Sequence, residues 1–156
     1  MDITQFELLW QLALAALLGA LLGIEREIAQ KAAGMRTFAL VALGSAMFSI
    51  ISIHGYSAFG FVSASFDPMR IAAQIVTGVG FIGAGMIIFT KEKKLSGITT
   101  AAGLWLAAAI GMGVAFGFYV ISVFITFLAL FIFTFLWHFE ERVLKKYASL
   151  SEGDND

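Results

Sequence analysis

The chain has 156 residues, 60% of them hydrophobic and 13% charged, with a formal net charge of −1. A single domain of this size folding in water could not cover that much apolar surface, which excludes an ordinary soluble globular protein. The near-neutral balance gives no field for nucleic acid, and the lack of Cys removes disulfide, zinc-finger, iron–sulfur and thiol-nucleophile chemistry.

A helix needs about 20 mostly apolar residues to cross ~30 Å of hydrocarbon. The first such run extends from Phe6 to Ile24 and stops at Glu25-Arg26-Glu27. Asp2 and Glu7 give it an acidic lead, and no small-residue cleavage pattern follows, so it reads as a retained helix and not as a removable signal. The second, Thr37 to Ile53, carries Ser45, Ser49 and Ser52 at helical spacing, which turns one face toward protein. After a loop from His54, the third run, 68–89, opens on Asp67-Pro68, an N-cap residue followed by proline in the first helical position. Lys91-Glu92-Lys93-Lys94 closes it. From Ile98 to Phe139 the apolar stretch is twice the length of one crossing, and the glycines from Gly113 to Gly117 mark its turn. That gives a fourth helix at 98–115 and a fifth at 118–139, with Tyr119 at one interface and Trp137 and His138 at the other. Residues 140–156 form a short amphipathic and then acidic tail. The runs are continuous and do not alternate, so a β-barrel is not indicated. The expected fold is all-α, a bundle of five transmembrane helices in one domain over residues 1–139.

Lys and Arg stay on the cytoplasmic side of a membrane. Arg26, Lys31 and Arg36 fall in the first connection, Lys91, Lys93 and Lys94 in the third, and Arg142, Lys145 and Lys146 after the last helix. Five crossings put those three regions on one side and leave Arg70 on the other. The N-terminus is therefore expected in the periplasm and the C-terminus in the cytoplasm.

Two polar constellations stand out. Arg70 lies in the first turn of a helix, against the preference set by the helix dipole. With Asp67, Gln74 and Thr77 it forms a stripe reaching ~10 Å down the helix. One reading is a periplasmic vestibule for an ion or a partner's side chain, since an amide such as Gln74 at that depth needs a partner. The other is that Arg70 reaches the headgroups while Asp67 caps the helix. At the cytoplasmic ends, Glu25, Arg26 and Glu27 close the first helix, Arg36 and Thr37 open the second, and Thr99 and Thr100 open the fourth. They form either a gate or docking surface in which Glu25 pairs with Arg36, or a ring of interfacial salt bridges. Paired carboxylates without a nucleophile or pocket do not indicate an enzyme, and no cofactor is indicated. A metal site is not identified, because His54 and His138 are too far apart to pair.

The glycines read as packing positions. Gly19 and Gly23, and Gly113 and Gly117, are spaced as GxxxG, while Gly78, Gly80, Gly83 and Gly85 make the third helix slim and suggest that it is central. Gly78-Val79-Gly80-Phe81-Ile82-Gly83 has the form GxGxxG but follows no strand, so it is no dinucleotide site. The fifth helix is expected against lipid, and the indole of Trp105 is expected to find a partner inside the bundle.

The stretches Gly23-Ile24-Glu25-Arg26-Glu27, Gly34-Met35-Arg36-Thr37, Asp67-Pro68-Met69-Arg70-Ile71-Ala72-Ala73-Gln74, Gly78-Val79-Gly80-Phe81-Ile82-Gly83-Ala84-Gly85 and Gly97-Ile98-Thr99-Thr100-Ala101-Ala102 together resemble the MgtC/SapB family of bacterial inner-membrane proteins. The resemblance runs from about Leu8 to Phe135. It implies a small regulatory or accessory protein of the inner membrane, linked to adaptation to low magnesium and, in some members, to virulence. Its implied partners are the lipid bilayer, other membrane proteins such as the ATP synthase or a transporter, and further copies of the chain in a homodimer or larger homo-oligomer. The alternative is a transporter or channel for magnesium or another small solute, which would need a polar path across the midplane. Longer members carry a soluble C-terminal domain that residues 140–156 are too few to form, and roles tied to that domain are not carried over. Many members also have His after the Arg-Thr pair where this chain has Phe38, so no protonation or metal role is carried to that position.

Overall fold

The computed structural model describes residues 5–58, 67, 69–89 and 95–139. Lys91, Lys93 and Lys94, and the tail with Arg142, Lys145 and Lys146, lie outside the described residues. The elements are α1 (Gln5–Ile28), α2 (Met35–Ala58), α3 (Met69–Met86), β1 (Ile88–Phe89), β2 (Leu95–Ser96), α4 (Ile98–Ala115) and α5 (Tyr119–Phe131), which continues through a π-helical turn at Ile132–Leu136. Five helices are long and apolar enough to cross a membrane, the fifth over Tyr119–Phe139. The fold is therefore an all-α bundle of five membrane-spanning helices.

α1 shows why the chain packs as it does. Its buried residues are Gln11, Leu14, Ala15, Leu18, Gly19, Leu22, Gly23 and Arg26, a stripe of three-and-one steps down one face of a 3.6-residue helix. The stripe pairs large residues with small ones, and the small ones set the spacing. A methyl on Gly19 would lie 2.6 Å from the Phe38 carbonyl oxygen and 2.8 Å from the Ala42 Cβ, and one on Gly23 would collide with the Met35 backbone. A side chain on Gly111 of α4 would likewise strike the Ala42 carbonyl group. Backbones of α1, α2 and α4 thus touch directly, the arrangement that dispersion favours where lipid offers no hydrophobic incentive to associate. Phe38 is fully buried, and its ring lies against Gly103 from one side while the Phe133 ring meets Gly103 from the other.

The central helices are α1, α2 and α4, which corrects the expectation for α3. Only Ile75, Val79 and Gly83 of α3 are buried. They seat it on Ala108 of α4, with Val41, Ile71 and Met112 packed around the contact. A Cβ at Gly83 would meet Ala101 at 3.4 Å, but Gly78, Gly80 and Gly85 face open space. The packing expected of those three is not made among the described residues, because α3 touches its neighbours along a single narrow seam. The indole of Trp105 is 51% exposed and turns outward, since position 105 falls off the buried stripe of α4 that runs through Gly103, Leu104, Ala107, Ala108 and Gly111. α5 buries Ser122, Thr126 and Ala129 and presents Phe124, Phe127, Phe131 and Phe135 outward. Ser45, Ser49 and Ser52 of α2 are buried. Ser49 and Thr126 each donate to the carbonyl four residues earlier, at 2.8 Å, which satisfies a hydroxyl inside a bilayer without a distant partner.

Among the described residues, three turns bend the chain back. Gly117 has φ +81°, the Phe118 N–H donates to Gly113 O at 2.8 Å and the Gly117 N–H to Val114 O at 3.0 Å, the two bonds of a Schellman ending. Gly113 also leaves room for Ser122, whose Oγ would be 2.6 Å from a Cβ there. α3 stops at Met86, earlier than Phe89, because β1 pairs antiparallel with β2, Ile88 opposite Ser96 and Phe89 opposite Leu95. Gly97, at φ +93°, then starts α4 where any side chain would meet the Met86 carbonyl. α1 runs past Ile24 to Ile28 and ends on Gln30 at φ 53°. Its Lys31 N–H donates to Arg26 O at 2.9 Å and its Gln30 N–H to Glu27 O at 3.0 Å, a second Schellman ending, with glutamine in the left-handed position.

Two consequences are measurable by unfolding the purified protein in mixed micelles. Gly111→Ala lowers stability by about 1–3 kcal/mol, the cost of overpacking a tight contact, whereas Gly78→Ala leaves it unchanged or raises it by up to about 1 kcal/mol through helix propensity. Equal effects at the two positions contradict the assignment of α2 and α4, not α3, to the packed centre. Phe38→Ala opens a cavity beside Gly103 and lowers stability by about 3–5 kcal/mol.

Candidate functional site

The ends of α1 and α5 and the starts of α2 and α4 meet at one end of the bundle, where Arg26, Lys31 and Arg36 also lie. Arg26 occupies the last position of the α1 stripe and is 3% exposed. A lone buried guanidinium would be strongly destabilising. Glu25 answers it: its Oε2 accepts from Arg26 Nε at 2.6 Å and its Oε1 from Nη2 at 3.1 Å, a bidentate pair. The Phe133 ring covers the other face, with Arg26 Cζ 4.1 Å from its centroid. The expected Glu25–Arg36 pair is thus replaced by Glu25–Arg26, because the helix stripe carries Arg26 inward while Arg36 stays exposed at the start of α2.

Glu27 has a different task. Its Oε2 accepts the Met35 N–H at 3.0 Å, so a side chain from the end of α1 caps the start of α2, where unpaired N–H groups favour a carboxylate. A Cβ on Gly34 would sit 2.8 Å from that oxygen, which explains the glycine before Met35-Arg36-Thr37. Glu27, Lys31, Gly34, Arg36 and Thr37 surround a recess of about 430 Å³.

A larger cleft of about 820 Å³ lies beside it, between the end of α1, the β2–α4 junction and the π-helical turn of α5. Arg26, Thr99 and Thr100 line it with Gln30, Lys31, Ser96 and Gly97, and Ile132, Phe133, Leu136 and Trp137 form the facing wall. The seven residues expected to cluster here therefore divide. Arg26, Thr99 and Thr100 share the cleft, while Glu27, Arg36 and Thr37 share the recess and Glu25 lines neither. Neither Lys31, which borders both, nor the aromatic wall carries a sequence pattern that marks it as part of a site. Trp137 is legible only as an interface anchor. The π-helical turn that brings Phe133 over Arg26 has no signal in the pattern of apolar residues.

At the opposite end Asp67, Arg70, Gln74 and Thr77 are each exposed, and among the described residues they do not line a common cavity. Asp67 Oδ1 accepts the Met69 N–H at 2.9 Å, and Thr77 Oγ1 donates to Ala73 O at 3.2 Å, so these two serve their own helix. Gln74 alone borders a groove of about 790 Å³ between α2 and α3, whose other walls include Leu40, Gly44, Phe48, Ile75 and Gly78. A further polar contact, with no signal in the sequence, is Gln11 Nε2 donating to Tyr119 Oη at 2.7 Å. Gln11 is buried and its Oε1 has no partner among the described residues. No group of three or more His, Cys, Asp or Glu side chains suited to a metal ion occurs among the described residues. His138 Nδ1 lies 2.9 Å from Thr134 O, a local contact within its own helix.

The family model of the MgtC family matches residues 12–142. Among curated proteins, the chain is 39% identical over 141 residues to "Putative magnesium transporter YhiD" of Escherichia coli (strain K12), covering 90% of this chain and 65% of that protein. It is 40% identical over 114 residues to "Protein SapB" of Bacillus subtilis (strain 168), covering 72% of this chain and 49% of the relative. It is 48% identical over 101 residues to "Protein MgtC" of Brucella abortus (strain 2308), covering 65% and 39% respectively. The chain thus spans about two thirds or less of the length of these relatives. No solved structure matches it. A match across the five crossings, together with relatives that are 39–48% identical, has one consequence: this chain belongs to the MgtC family.

Proposed function

We propose that this protein is a small regulatory or accessory component of the bacterial inner membrane, linked to magnesium, that acts without turnover by lateral contact with other membrane proteins. The magnesium link is supported by the name of its Escherichia coli relative. The basic end faces the cytoplasm in this reading, as Lys and Arg placement requires.

The observation that carries the proposal is the open side of α3. A Cβ added at Gly78, Gly80 or Gly85 would have nothing within 4 Å of it, and Gln74 borders the α2–α3 groove. Small residues and an amide on a lipid-facing surface are suited to a neighbouring helix, which gains close backbone approach and a hydrogen bond that lipid tails cannot give. The occupant is a transmembrane helix of another membrane protein. Carriage of an ion, the reading favoured by the relative's name, asks for a polar path across the midplane. Here the middle of the bundle is occupied by backbone contacts at Gly19 and Gly111.

Two measurements decide between these readings. A photo-crosslinking residue at Ile82 is expected to capture a defined membrane protein in native membranes, and Gly78→Leu, which fills the groove, reduces the yield about tenfold, equivalent to a helix–helix contact of about 1–2 kcal/mol. Capture of a second copy alone makes the contact self-association. Saturable magnesium entry into liposomes holding only this protein, absent from protein-free liposomes, overturns the regulatory reading in favour of transport.

A further inference from the structure

The cleft beside Arg26 has a charge pattern that the lateral contact does not use. Among the described residues, its charged lining is Arg26 and Lys31. The carboxylates nearest in sequence, Glu25 and Glu27, are both outside that lining: one is spent on Arg26 and the other on the α2 N-terminus. Glu25 takes Nε and Nη2 of Arg26, and the third guanidinium nitrogen, Nη1, is not engaged by that carboxylate, on a residue that lines the cleft. Lys31 has no ion pair among the described residues. Its Nζ is held 6.0 Å from the Trp137 ring centroid, at the rim of the cleft. The third contribution is the start of α4. Gly97 brings no side chain to cap it, so its first N–H groups, with the exposed Thr99 hydroxyl, add donors and the positive end of the helix dipole.

The opposite wall is apolar. Ile132, Leu136 and Trp137 are 44%, 51% and 40% exposed, and they lead from the cleft along α5 toward the membrane core. A ligand that satisfies both walls has an anionic head with several oxygens and an apolar chain attached to it.

We propose that this cleft binds the phosphate group of an anionic phospholipid. The head is held by Arg26 Nη1, Lys31 and the α4 N-terminus, and an acyl chain lies along Ile132 and Leu136. A phosphate fits better than a carboxylate because the donors converge from three elements, and its unesterified oxygens can accept from more than one direction. The site also accounts for retaining a buried arginine here: the Glu25–Arg26 pair is neutral, and the Nη1 outside it contributes direction, while Lys31 and the helix dipole contribute the net positive field. This inference does not depend on the proposed role of α3.

The full chain carrying Trp10→Phe and Trp105→Phe leaves Trp137 as its single indole; both replaced residues are exposed and outside the cleft. The protein is placed in phosphatidylcholine nanodiscs containing brominated phosphatidylglycerol or brominated phosphatidylcholine, and quenching of Trp137 is titrated. The expected result is an about fivefold preference for phosphatidylglycerol, the contribution of one interfacial cation, reduced to about unity by Lys31→Gln and weakened by Thr99→Val. Arg36→Gln, which removes an exposed cation at the same end but outside the cleft, leaves the preference intact. If it lowers the preference as much as Lys31→Gln does, the attraction is diffuse and the site is overturned. Equal quenching by the two lipids, with no rise in melting temperature on adding inorganic phosphate, overturns it too. If inorganic phosphate stabilises the protein in a Lys31-dependent manner and abolishes the lipid preference, the phosphate site stands and its source is soluble. Lys31 is exposed, so its substitution does not threaten the fold, and circular dichroism of each variant verifies that.

Discussion

Lipid tails are as apolar as leucine, so burying one apolar helix against another gains little in a bilayer, and what remains is the closeness with which backbones can approach. In this protein that closeness is set at Gly19 and Gly23 against α2 and at Gly111 against the Ala42 carbonyl. The three-helix centre of α1, α2 and α4 follows from those contacts. Phe38 fills the space beside Gly103, and α5 reaches the centre through the stripe of Ser122, Thr126, Ala129 and Phe133. α3 has no comparable approach beyond Gly83 and remains on the edge.

The same stripe that builds the centre fixes the chemistry at its basic end. Because Leu22, Gly23 and Arg26 lie on one face of α1, the helix cannot bury the first two without carrying the guanidinium inward as well. Glu25 and the Phe133 ring make that position tolerable. In that arrangement Glu25 occupies Nε and Nη2 and leaves Nη1 as the guanidinium nitrogen outside the pair. Glu27 and Gly34 perform the parallel service for α2, so the two carboxylates that read alike in the sequence end in unlike environments.

Polar groups in the bundle are therefore of two kinds. Ser49 and Thr126 turn back on their own helices and add nothing that a ligand could use. Arg26, Lys31, Thr99 and Gln74 border open volumes, one at the basic end and one along the side of the bundle. On the two proposals made above, the lateral groove takes a helix and the cleft an anionic amphiphile.

The sequence by itself determined the class of the protein and the number of its crossings, because apolar length against bilayer thickness is a one-dimensional constraint. It also placed the turn at Gly113 to Gly117, where a residue at positive φ and a close contact both call for glycine. The family was legible in five short stretches spread over the membrane part. It did not determine which helix is central: the glycines of α3 outnumber those of α1, yet a small residue packs only if a neighbour stands opposite it, and that depends on where every other helix lies. Nor could it tell that Glu25 would pair with Arg26 in preference to Arg36, or that a π-helical turn would set Phe133 over the guanidinium. Those choices arise from the direction in which each helix face points once α1, α2, α4 and α5 are packed, and only the tertiary structure fixes that.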